Sequence, residues 1–149
     1  MRGIGYLPYF FSFIWSQRVE RRGMAGTINL QPEVLDLILY AGDGVSFKMI
    51  ITNGANAPID ISGSISAQIR LQRLDPDPPV VSFGVNMVDA YQGIVRLSLT
   101  GDQTADLSQH PSAKEGKFLG VWDVQWTPSG AEPRTLCQGK IECGIDVTR

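Results

Sequence analysis

At 149 residues, with a formal charge of −2 and a pI near 5.3, the chain is long enough for one domain that buries roughly two thirds of its unfolded surface without staples. The acidic balance and the lack of any block of like charge leave no general attraction for nucleic acid or an anionic membrane surface, and one histidine with two cysteines makes no zinc set. The charge is unevenly placed: residues 1–23 carry four arginines against Glu20, a net of +3, which leaves −5 for residues 24–149.

The first segment, 1–23, holds the apolar run 4–15 with Tyr6, Phe10, Phe11, Phe13 and Trp15. About 12 residues interrupted by Pro8 are too few to span ~30 Å of hydrocarbon as a helix, so stable membrane insertion is not expected. As a secretory signal the segment has its positive charge on the wrong side and no small-x-small cleavage site close behind. Two readings stay open. Glu20, Arg21 and Arg22 can be encoded by GAG-AGG-AGG, a ribosome-binding sequence just upstream of Met24, which would make 1–23 a mis-annotated leader. Alternatively, 1–23 is an apolar arm whose five aromatic side chains anchor in a groove on a neighbouring subunit.

From Met24 the pattern becomes regular. Residues 33–40 read as a first strand, ended by the turn composition of 41–44. Val45, Phe47, Met49 and Ile51 alternate with polar positions to give a second strand, closed by the Asn53-Gly54 turn signal. A third strand places Ile65, Ala67, Ile69 and Leu71 on one face, and the proline-rich stretch 74–79 breaks it. Val81, Phe83, Val85 and Met87 form a fourth strand, and Val95, Leu97 and Leu99 a fifth. Thr100 or Asp102 can cap one short helical turn that folds Leu107 back onto the core.

The closing hairpin pairs 118–126, where Trp122, Val124 and Trp126 share a face, with 134–148. In the second arm Cys137, Gly139, Ile141, Cys143, Ile145 and Val147 share one parity. Two cysteines six apart in one strand are about 20 Å apart, against the ~7 Å that a disulfide allows, so both read as free core thiols. About seven short strands, one helical turn and no long amphipathic helix predict an all-β, two-sheet antiparallel sandwich. Its expected core includes Phe47, Ile69, Phe83, Leu97, Leu99, Trp122, Val124 and Ile141.

Chemistry-bearing constellations are weak. Asp75 and Asp77 lie among prolines in a turn composition, without the dense oxygen-ligand pattern that calcium needs. His110 precedes a proline in a loop and reads as solvated, and the glycine pattern at 42–44 matches no phosphate cradle. No acid, base, nucleophile and metal set assembles, so the chain is expected to be non-enzymatic, with no catalytic residues, no cofactor and no metal.

Four stretches in order carry a family likeness: 41–47 (AGDGVSF), 57–70 (APIDISGSISAQIR), 93–107 (GIVRLSLTGDQTADL), and 122–125 (WDVQ) with 134–149 (RTLCQGKIECGIDVTR). Together they resemble the immunoglobulin-like β-sandwich domains of tailed-bacteriophage virions, similar to the N-terminal domain of upper baseplate proteins and to many minor tail proteins. The resemblance covers roughly 35–149. It implies a virion structural protein, an adaptor of the tail, baseplate or neck that docks onto other virion proteins in a symmetric assembly. Capsid decoration is the related alternative. A carbohydrate-binding adsorption module is the alternative of another class, and it would need exposed aromatics, with Trp126 as the candidate. For docking, exposed strand edges and the loop 74–80, with Leu74 and Val80, are the expected contacts.

Overall fold

A computed structural model of the chain describes residues 10–14, 18–19, 28–29, 32–53 and 55–145, with side chains from residue 32 onward. The strands are β1 (Phe10–Ile14), β2 (Arg18–Val19), β3 (Ile28–Asn29), β4 (Glu33–Val34), β5 (Leu37–Tyr40), β6 (Val45–Thr52), β7 (Gly63–Arg70), β8 (Val81–Ser82), β9 (Gly84–Asp89), β10 (Ile94–Leu99), β11 (Phe118–Pro128) and β12 (Arg134–Gly144). One helix, α1 (Gly101–Ser108), follows β10. The first sheet has the order β1-β6-β10-β9, and the second β4-β12-β11-β7-β8 with β5 also on β12. A small β2–β3 pair stands apart from both.

The two sheets face each other as an all-β sandwich, and the alternation in each strand sets the core between them. In the first sheet Val45, Phe47 and Met49 stand opposite Leu99, Leu97 and Val95, and all six are buried. In the second sheet Ile69 pairs with Trp122, and Ala67 with Val124, which in turn stands opposite Cys137. The two layers lock through three rings. Phe47 meets Trp122 edge-on at 6.3 Å, and Phe83 stands 5.6 Å from Trp122 and 6.4 Å from Phe47. Such tilted and T-shaped pairs add about 0.5–1.5 kcal/mol each beyond the area they bury. Ile141 and Leu99 complete the buried set around them.

Several elements differ from the sequence expectation for identifiable reasons. The single strand expected at 33–40 is broken at Leu35 and Asp36, so that β4 and β5 pair separately with β12, both in parallel. The strand expected at 81–87 changes sheets: β8 pairs with β7, β9 pairs with β10, and buried Phe83 sits at the crossing. Leu71 lies past the end of β7 and is exposed, as is Ile145 past β12, while Val147 lies outside the described residues. Leu136 and Cys137 are buried side by side because the β11–β12 register shifts at Val124/Gln125, a bulge that places two successive side chains inward.

The helix runs longer than one turn. Thr100 caps it, its hydroxyl accepting from the Gln103 backbone while the Gln103 side chain accepts from the Thr100 backbone. Thr104, fully buried, donates to the Asp43 carbonyl and accepts from the Gly42 backbone, which fastens α1 to the β5–β6 turn, and Leu107 enters the core. The segment 1–23 contributes β1, which lies parallel on β6 with Phe10 opposite Lys48 and Ile14 opposite Thr52.

Candidate interaction face

The outer face of the second sheet has two chemically different halves. In the register, Ile38 on β5 stands opposite Glu142 on β12, and Glu142 stands opposite Leu119 on β11. Partners in a ladder share a face, so Ile38, Glu142 and Leu119 form one row across three strands. Ile38 is 68% and Leu119 64% exposed, with Tyr40, opposite Gly144 in the β5–β12 ladder, exposed beside them. Val34, also exposed, stands opposite Gln138, four residues back along β12 from the Glu142 that faces Ile38. Lys117 forms an ion pair with Glu142 inside this apolar corner. Both charges are solvent-accessible, so the pair contributes little to stability, but it leaves a neutralised, mostly apolar surface.

Continuing along the face, Gln138, Asp123 and Gln68 form a polar row. Together with Arg70, Arg73, Val121 and Trp122 they line a shallow cleft of about 130 Å³. Burial in this cleft raises the pKa of Asp123 above the usual carboxylate value, and the charge of Arg70 opposes the shift. Arg70 also donates to the carbonyls of Asp75 and Asp77 and to the Gln68 side-chain oxygen. Its guanidinium therefore holds the proline-rich loop 74–80 against the end of β7.

That bracing sorts the loop residues named from the sequence. Leu74 stands out at 93% exposure and is accessible to a partner. Val80 is less so: its backbone N–H donates to Ile69 at 2.8 Å and its side chain packs half-buried against the core. Trp126 is likewise inside: it is 8% exposed and its indole donates to the Ser62 carbonyl at 3.1 Å, so it offers no stacking platform. Tyr6 and Trp15 lie outside the described residues, and of Phe10, Phe11 and Phe13 only the β1 backbone is described.

Ile38, Tyr40 and Leu119 were not singled out from the sequence. The available signal was the unbroken apolar run 37–40 and the Phe118-Leu119 doublet, where both parities are apolar and one of them must face outward.

The reactive residue types are placed in structural roles. Cys137 and Cys143 are buried free thiols, and burial pushes them up to about 12 and about 11, with the charges of Glu33, Asp123 and Asp43 adding to the effect. The Cys143 thiol donates to the Thr104 carbonyl. His110, read from the sequence as solvated, is half-buried: its ring meets Phe118 edge-on at 5.7 Å, and Nδ1 accepts from the Ser112 backbone and lies 2.8 Å from the Ser112 hydroxyl. This contact closes a local turn at the end of α1. Among the described residues there is no group of three or more His, Cys, Asp or Glu placed to hold a metal, and no helix long and apolar enough to cross a membrane.

No family model and no curated protein matches the chain. Among solved structures, the N-terminal domain of phage TP901-1 ORF48 is similar, with a TM-score of 0.37 and 12% sequence identity over 92% of this chain and 98% of that one.

Proposed function

We propose that the chain is a non-enzymatic structural component of a tailed-phage virion, an adaptor of the tail, baseplate or neck that acts by docking onto neighbouring subunits. The observation that carries the reading is the apolar corner of the second sheet, where Ile38, Leu119 and Tyr40 are held in register on a rigid ladder and left exposed to solvent. Apolar surface presented on a rigid scaffold beside a polar cleft has the anatomy of a protein interface: an apolar centre with hydrogen-bonding groups at its border. The sequence motifs at 41–47, 57–70, 93–107 and 122–125 with 134–149 supply the virion setting.

The mechanism is complementarity multiplied by symmetry. A single copy burying a modest area binds weakly, and copies repeated around a ring or tube gain avidity without any one strong site. The carbohydrate-binding alternative loses its platform with Trp126 inside the core. Replacing Ile38 and Leu119 with lysine tests the reading: the variant should fold as the parent does and fail to enter assembled particles. Undiminished incorporation would remove this face from the interface.

A further inference from the structure

The edge of β6 is closed by a strand from far away in sequence. β6 is the longest strand of its sheet, and its interior neighbour β10 leaves one whole ladder of N–H and C=O groups for another strand. β1 fills that ladder over five residues and runs parallel to β6. A parallel neighbour cannot be reached by a hairpin, and the next strand in sequence that belongs to either sheet of the sandwich is β4, on the edge of the second. The aromatic-rich segment that contains β1 carries +3, and the body that receives it carries −5.

We propose that β1 is an exchangeable strand: in an assembly, the β1 of one copy completes the β6 edge of a second copy in the same register. The partner is therefore a second copy of this chain, which deepens the virion reading and rests on it for the crowded setting. The ladder formed between copies is the same as the ladder formed within one copy, so the contacts themselves do not choose between the two. The choice falls to reach and local concentration. Residues 15–32 span up to about 60 Å when fully extended, and still roughly 30 Å with β2 paired to β3. That is of the order of one domain diameter, enough to reach an abutting sandwich. Copies held side by side raise the effective concentration of a neighbouring strand to the millimolar range, where it competes with the chain's own.

Ser12 and Ile50 stand opposite each other in the β1–β6 register and give a direct test. Full-length Ser12→Cys and Ile50→Cys chains are refolded together at increasing concentration, oxidised mildly, and the cross-links mapped by mass spectrometry. A parallel sample carries both substitutions in one chain. Exchange predicts a 12–50 disulfide between different copies in the mixture, its yield rising with concentration. A 12–50 bridge that forms only inside the doubly substituted chain, with none between copies at any concentration, would overturn exchange. The absence of a 12–50 bridge from both samples would overturn it as well, because the pairing itself would be wrong. Neither result touches the virion reading, which is measured separately by the content of purified particles.

Discussion

The indole Nε1 of Trp122 donates to the main-chain oxygen of Leu35 at 2.8 Å, across the position where Gly139 stands opposite Trp122 in the β11–β12 ladder. One side chain thus joins the ring cluster between the sheets to the parallel edge of the second sheet. The same contact accounts for the break between β4 and β5: Leu35 turns its carbonyl toward the indole, and the next residue, Asp36, accepts from the Lys140 backbone. Trp122→Phe, which keeps a ring and removes the donor, is expected to cost about 1–3 kcal/mol. Trp122→Ala is expected to cost about 3–5 kcal/mol through the cavity it leaves. Denaturant midpoints that do not move in either variant would take Trp122 out of the core.

Gly139 is fixed by the same geometry. A Cβ there would lie 1.9 Å from the Leu35 carbonyl oxygen, so the edge strand must move if any side chain is added. Gly139→Ala should destabilise the fold by about 1–3 kcal/mol. It should also release the amide protection of Leu35, which donates to Gln138, and of Lys140. Hydrogen exchange that leaves both amides as slow as in the parent contradicts this account of the β4–β5 edge.

The helix depends on its cap. Thr100→Ala removes the oxygen that accepts from Gln103 and is expected to cost about 1 kcal/mol, while Thr100→Ser should retain most of the parent's stability. Equal thermal midpoints for the alanine and serine variants would argue against the capping box.

The two buried thiols give the fold an alkaline limit. Their folded-state pKa values, about 12 for Cys137 and about 11 for Cys143, lie above the ordinary value of 9.0. The folded chain therefore keeps protons that the unfolded chain releases. Their contribution is complete below pH 9 and is lost as pH rises from 9 toward 11 and 12, by up to about a tenfold change in the folding equilibrium per pH unit for each thiol. A Cys137→Ala/Cys143→Ala chain should lose stability less steeply over that window. Identical pH slopes for the two proteins would show that the thiols do not set it.

Much of the sandwich was legible in the sequence because strict alternation is a local signal. Phe47, Ile69, Leu97, Trp122 and Val124 could each be assigned to the core from their own strand. What was not legible depended on contacts between distant segments. The break at Leu35 is set by Trp122, and the change of sheets at Phe83 by which strand each half meets. The exposed row Ile38–Leu119 was hidden for the opposite reason: a run apolar on both parities does not say which residue faces out until the register with β12 is known.

The central claim is that this sandwich is a particle component that docks through the outer face of its second sheet. It is tested most directly by supplying tagged parent and Ile38→Lys/Leu119→Lys chains during particle formation, and quantifying each in purified particles by mass spectrometry. The account predicts the parent at a fixed copy number per particle and the variant strongly depleted, with both proteins equally stable in solution. A parent chain absent from the particles, or a variant incorporated as fully as the parent, would contradict it.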